Sequence, residues 1–419
     1  MLRDIAPGKI DRHPFDGVGQ RGFALVLVLL VMGVVLSSLL FSYITPYART
    51  INNDPVTVAA LALARDALVA RAAVDNTIPG SLPCPDVDND GQLTAVDQVA
   101  GNCTSFIGRL PWKTLGLPDL RDGGGERLWY ALSANFRDNP AVSPLNSETA
   151  GQFTITGTNP ASNVVAVVFA PGPTLSGQLR DAANQYNIAN YLEGENANGD
   201  NTFITGAVTI TSNDTLLAIT NDVLFQAVEA RVAREIRASL ITYYAANNYF
   251  PYASNYNDAG FTCVPGLTRG RLAKPGIGGN YLIKDKVKPD DHLGCPAIAN
   301  WGAFSLPSWF ATNNWHYLTY YTVAAACIDA KPKCDGAGLS GTVGAGFLTV
   351  VNTPAPNNDK RALIIIAGRA LVLALALQTR PSINVSDYLE GENATVLDNI
   401  YERNAMSATF NDKVTIVAP

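Results

Sequence analysis

The residues from Pro83 to Asp97, PCPDVDNDGQLTAVD, place three carboxylates at alternate positions ahead of a glycine: Asp86, Asp88, Asp90 and Gly91. In a calcium loop, alternate side chains converge on one ion, oxygen is the preferred ligand, and glycine permits the sharp turn. Gln92 is placed to give its backbone carbonyl, and Asp97 falls where a closing acidic ligand belongs. The EF-hand form uses glutamate at that closing position, and no flanking pair of helices is read here. The expectation is an EF-like loop outside an EF-hand, with calcium held by Asp86, Asp88, Asp90, Gln92 and Asp97. The competing reading is an Asx-rich turn that binds nothing. No equivalent acidic run lies between Pro251 and Cys263, so the site should be single.

A second acidic motif occurs twice, as YLEGENA at Tyr191 to Ala197 and again at Tyr388 to Ala394. Glu193, Glu195, Asn198 and Asp200 could gather another cation, but the second copy lacks the Asn-Gly-Asp part. A repeated turn around a buried Tyr and Leu accounts for both copies and is the preferred reading. The aromatic run from Trp301 to Tyr321 is either a recognition surface for glycan or protein or a packed cross-strand core, and the core is the commoner cause. His292, after Asp290 and Asp291, and His316, within that run, belong to no nucleophile motif such as G-x-S-x-G. The chain is therefore read as no enzyme. The glycines of Asp122 to Glu126 form a turn rather than a phosphate loop, because the G-K-[ST] ending is missing.

The elements that must position these residues follow from length and pattern. A chain of 419 residues is long for one average domain. Its formal net charge of −6 suits no nonspecific grip on nucleic acid, which requires basic clusters. The six cysteines fall as Cys84 and Cys103, Cys263 and Cys295, and Cys327 and Cys334. An even count beyond an export segment favours disulfides, and the sequential pairing is chosen because each pair brackets a local loop. No C-x-x-C occurs, so zinc and thioredoxin chemistry lack support.

Between Arg21 and Arg49 no side chain is charged. A bilayer core needs about 20 apolar residues in a helix, and Phe23 to Ser42 is long enough to span it. A polar, basic leader ends in Gln20-Arg21-Gly22, and Phe23 opens the apolar run without transition. That junction resembles the type IV prepilin signal, in which a prepilin peptidase cuts after Gly and the new terminal Phe is methylated. The resemblance implies cleavage between Gly22 and Phe23. Removing the leader, with four basic and three acidic residues, takes the formal charge from −6 to −7. At the fifth mature position the family's usual Glu is replaced by Leu27, as in K-type minor pseudopilins and some X-type minor pilins, which are associated with filament tips. The stretch from Gly108 to Ser133 also resembles the loop and strand of large pilin-like proteins.

Downstream, Val56 to Val74 is rich in Ala and Leu and reads as a helix ending at Asp75-Asn76. A second helix is read from Asn221, capped by Asn221 or Asp222. Its apolar stripe is Phe225, Val228, Val232, Ile236, Leu240 and Tyr243, with Glu229, Arg231, Arg234, Glu235 and Arg237 on solvated faces. The segments around the two helices match in order: Pro79 against Pro251, Leu128 to Ala131 against Thr319 to Thr322, Ala170 against Ala367, and Asn213-Asp214 against Asn411-Asp412. The head is thus read as an internal duplication.

The expected fold class is α+β: an N-terminal transmembrane helix continuing into a pilin-like head, with a duplicated second module, each module a long helix plus an antiparallel sheet. The domains are a leader over 1–22, a transmembrane and assembly helix over 23–48, and modules over 54–220 and 221–419. The implied protein is a minor pilin or pseudopilin, tip-located, in a type IV pilus or type II secretion filament. Its expected partners are other pilin subunits, the peptidase and the inner membrane, with the head periplasmic before incorporation and then on a filament, reaching the cell surface. The alternatives are a pilus-mounted adhesin, which needs Trp301, Trp309 and Trp315 exposed, and an anchored periplasmic enzyme.

Overall fold

The computed structural model describes residues 32, 55–139, 144–254, 267–272, 306–328, 334, 346–373, 376–395 and 398–418. The chain divides into two units, Met1–Val56 and Thr57–Pro419. Both expected modules, 54–220 and 221–419, fall almost wholly within the second unit.

Helix α1 (residues 55–74) buries Ala60, Leu61, Ala64, Leu68 and Ala72, the three-and-four spacing of one helical face. After it come β1 (Gln98–Val99), β2 (Asn102–Cys103), β3 (Ile107–Arg109), β4 (Trp129–Leu132), β5 (Phe153–Gly157), β6 (Ala161–Ala170), β7 (Thr202–Thr205) and β8 (Thr215–Thr220). The last of these runs without a loop into α2 (Asn221–Asn247). The second half continues with β9 (Arg269–Arg271), α3 (Ser308–Thr312), α4 (Trp315–Leu318), β10 (Thr319–Val323), β11 (Thr349–Val351), β12 (Ala362–Ile366), β13 (Val372–Leu373), β14 (Ala376–Leu377), β15 (Ile400–Glu402) and β16 (Lys413–Ala418).

In the first half β3, β4, β6 and β8 pair antiparallel in that order. In the second half β9, β10, β12 and β16 do the same. The register fixes which residues correspond. Trp129 lies opposite Arg109 and Phe169, and Tyr320 lies opposite Arg271 and Ile365. Ala170 pairs with Thr215 just beyond Asp214, as Ile366 pairs with Lys413 just beyond Asp412. Ala170 therefore matches Ile366 and not Ala367, a one-residue slip that in a strand moves every side chain to the other face. The expected match of Pro79 with Pro251 is also out of step. The Leu82 amide donates to Phe136 as Phe250 donates to Cys327, which puts Pro83 at the place of Pro251.

The two sheets share one continuous core. It takes in the buried faces of α1 and α2, Tyr130, Val168 and Ile219 from the first half, and Trp315, Tyr321, Leu363 and Val417 from the second. A separate cluster, with Trp129, Phe169, Tyr191 and Phe203, covers the other face of the first sheet. Every residue of the expected α2 stripe is buried. The cap differs, since Thr220 accepts the Val223 amide through its hydroxyl, while the Asn221 side chain is buried and donates to Ser147 and Thr149 carbonyls. Glu229 and Arg231 are buried instead of solvated, because both halves pack on α2 and leave it only a narrow exposed strip through Val223, Gln226, Arg234, Arg237 and Ile241.

Three further expectations are corrected. The sheets are mixed: β5 and β7 pair parallel, as do β11 and β15. Among the described residues no helix is long and apolar enough to cross a membrane. The N-terminal transmembrane helix in the expected fold class, and the single-pass inner-membrane location built on it, are therefore unsupported. The stretch that suggested them, 23–48, lies outside the described residues except for Met32, as do Gly22 and Phe23. Disulfides join Cys84 to Cys103 and Cys327 to Cys334. Cys263 and Cys295 fall outside the described residues.

Candidate functional site

The acidic loop is held in place at its N-terminal end and at its central glycine. Asp86 exchanges backbone hydrogen bonds with Arg109 on β3, at 2.9 and 2.7 Å, and the adjacent Cys84 is bonded to Cys103 on β2. Gly91 lies against Trp112; a Cβ there would come within 2.5 Å of the indole Nε1, and its φ of +84° also favours glycine. The Gly91 carbonyl accepts the amides of Lys113 and Thr114.

Within this frame, carboxylate oxygens of Asp86, Asp88 and Asp97 come within 4.8 Å of one another. Asp90 is outside that cluster and accepts the Gln92 amide at 2.6 Å, while the Gln92 side chain is exposed. Asp86 accepts the amides of Asp88, Asn89 and Gly91, at 3.1, 2.6 and 2.7 Å. Asp97 accepts the Val87 amide at 2.8 Å and both the amide and hydroxyl of Thr94, at 2.7 and 3.0 Å. Burial pushes the Asp86 carboxyl up to about 6, against the pull of the Gly91 and Asn89 amides, and Asp88 and Asp97 add to the rise. A divalent cation would favour the ionised form of this cluster. Its three carboxylates suit a hard cation without singling out calcium.

The repeated YLEGEN motif builds a turn of the same design in each half. Glu193 accepts the amides of Asn213 and Asp214, and Asp214 accepts the Glu193 amide and the Asn196 side chain. Glu390, Asn411, Asp412 and Asn393 repeat each of these bonds. Tyr191, Leu192, Tyr388 and Leu389 are buried, as the turn reading requires. Asn198 and Asp200 bond to each other on the surface and take no part in the Glu193 turn.

Four arginines that shape these turns escaped the sequence reading. Arg109 lies over the rings of Trp129 and Tyr191, at 4.4 and 4.0 Å to the centroids, and Arg180 lies over Tyr191 at 5.0 Å. In the second half Arg271 and Arg380 lie over Tyr388 at 5.2 and 4.8 Å. Arg180 donates to Gly172 and Gln178, and Arg380 to Gly368 and Gln378. A signal was present in the sequence: Gly-Arg-Leu occurs at 108–110 and 270–272, and Gln-x-Arg at 178–180 and 378–380.

Within the described part of the aromatic run, Trp309, Phe310, Trp315, Tyr320 and Tyr321 are core and Tyr317 is half-buried. Trp309 and Trp315 are 2% and 0% exposed, which removes two of the three tryptophans an adhesin surface would use; Trp301 lies outside the described residues. His316 is buried with its ring 4.3 Å from that of Tyr317, and His292 falls outside the described residues. In comparisons with known proteins, no family model, no curated protein and no solved structure matches the chain.

Proposed function

We propose that the chain is a structural subunit, a minor pilin or pseudopilin of a type IV pilus or type II secretion filament, acting in assembly or capping at the tip. The observation that carries this reading is the order of elements: a long helix leading into a four-strand antiparallel path, present twice, behind an N-terminal junction that resembles the prepilin signal. In such a subunit the apolar side chains from Phe23 to Phe41 pack against those of neighbouring subunits, and a prepilin peptidase removes residues 1–22. The double-sized head, with one core running through both halves, suits an end position better than repetition along a tightly packed shaft. A divalent cation such as calcium would brace the Asp86 to Asp97 loop against Trp112, and no reaction step is assigned to it.

The test is the intact mass and N-terminal sequence of the full chain expressed with and without a prepilin peptidase. Loss of residues 1–22 and an N-methylated Phe23, in the presence of the peptidase alone, is the expected result. An intact Met1 terminus in both samples would overturn the filament reading.

A further inference from the structure

The register places Glu126 and Arg127, ahead of β4, where the second half has Tyr317 and Leu318 ahead of β10. The bonds to Gly172 and Gly368 place Arg180 where the second half has Arg380. These positions line a cavity in each half. The first, about 320 Å³, is lined by Arg109, Arg121, Glu126, Arg127, Arg180 and Tyr191 among others. The second, about 420 Å³, is lined by Tyr317, Leu318, Arg380, Pro381 and Tyr388, together with Glu148.

At the second cavity an acidic side chain from the other half sits at the rim. Glu148 comes from a segment of the first half, and its carboxylate pairs with Arg380 Nη1. The segment is anchored beside it: the Leu145 amide donates to Asn313 Oδ1 at 3.1 Å, and Asn146 Nδ2 donates to the Asn313 carbonyl at 2.8 Å. In the first half the corresponding Arg180 faces Glu126 of the same half at 3.5 Å, and Arg127 stands in the place of Leu318. Four guanidiniums line this cleft against the carboxylates of Glu126 and Asp181, and Asp119, outside the lining, accepts from Arg121 Nη2 and from Nε and Nη2 of Arg127. Arginine's planar fork matches a carboxylate in two-point contact.

We propose that the first-half cleft is a docking site for an acidic side chain of a partner protein, seated there as Glu148 is seated on Arg380. The site does not depend on the filament reading and stands or falls separately from it.

The experiment is fluorescence anisotropy of a labelled hexaglutamate peptide titrated with the full chain at low ionic strength, where exposed charges are least screened. Saturable binding is expected, with none for hexaglutamine. Substituting Arg121→Gln and Arg127→Leu together should weaken it by about tenfold or more, the loss of one charge-assisted contact. Glu126→Gln should tighten it, because the internal carboxylate facing Arg180 is gone. That variant keeps its backbone bonds to Asp122, so it decides the matter even if the arginine variant fails to fold. Arg65→Gln, on α1, should change nothing. Absence of saturable binding, or equal affinity in the arginine and Glu126 variants and the parent, would overturn the proposal. So would displacement by inorganic phosphate as effective as that by unlabelled hexaglutamate, which would mark a small-anion site.

Discussion

Glu390 accepts the amides of Asn411 and Asp412 through a single carboxylate oxygen, at 2.9 and 3.2 Å, and Asp412 accepts the Glu390 amide in return at 2.9 Å. Glu193 and Asp214 repeat the exchange at 3.0, 3.1 and 3.2 Å. Each pair brings two carboxyls together at the start of the last strand of its sheet, buried in the second half and half-buried in the first. Burial, reinforced by the charge of Glu193, pushes Asp214 up to about 6, and burial with Glu390 alongside pushes Asp412 higher than the usual carboxylate range.

The consequence is a fall in stability with rising pH. A carboxyl whose folded value is raised contributes stability that is present below its unfolded value and lost as pH climbs through the folded one. For Asp214 that window runs from about 4 to about 6. Thermal melting of the wild type should decline across it, and the double variant Asp214→Asn, Asp412→Asn should decline less. Asparagine keeps the oxygen that accepts from Asn196 and Asn393 and introduces no charge. An unchanged slope in the double variant would mean that the pairs do not share a proton.

Cation binding at the Asp86 to Asp97 loop has the opposite dependence. Asp86 must lose its proton to act as a ligand, so stabilisation by added calcium should grow as pH rises through about 6. A ligand present at about 100 times its Kd stabilises by about 2.7 kcal/mol, several degrees in Tm. Melting in calcium, in magnesium and in chelator, for the wild type and for Asp97→Asn, measures it. Identical curves in calcium and chelator from acid to neutral pH would leave a turn satisfied by its own amides. Gly91→Ala should remove any cation effect, since its Cβ cannot fit against Trp112.

The sequence made the α2 stripe legible because Phe225, Val228, Val232, Ile236, Leu240 and Tyr243 follow helical spacing, and periodicity reports which face is buried. It also made the repeated YLEGEN turn legible, because identical residues need no alignment. Burial of Glu229 and Arg231 was not legible: composition marks a charge as a surface residue, and only the packing of two halves around one helix reverses that. The strand match failed by one residue at Ala170 because FAPG and IIAG look alike with or without a shift. Only the pairings of Ala170 with Thr215 and Ile366 with Lys413 decide it. At the acidic loop, alternation placed Asp90 with Asp86, Asp88 and Asp97, whereas the folded loop brings the carboxylate oxygens of Asp86, Asp88 and Asp97 within 4.8 Å of one another without it.

Arg231 supplies the last prediction, because a single side chain joins the two long helices. From the middle of α2 its Nη1 donates to the carbonyls of Ala73, at 3.0 Å, and Asp75, and its Nη2 donates to Asn76 Oδ1 at 2.7 Å. These are groups at the C-terminal end of α1, where carbonyls lack helical partners and a cation is favoured by the helix dipole. The guanidinium also lies 5.2 Å from the centroid of the Trp309 ring, so the contact reaches into the second half. Arg231→Ala should cost about 3 kcal/mol, since it strips charge-assisted bonds from buried acceptors. Arg231→Lys should recover part of that loss, because an ammonium keeps the charge but neither the fork nor the flat face over Trp309. Urea unfolding of the full chain would read both. A loss within about 0.5 kcal/mol for Arg231→Ala, the range of ordinary surface changes, would show that the helices are held by the shared core alone.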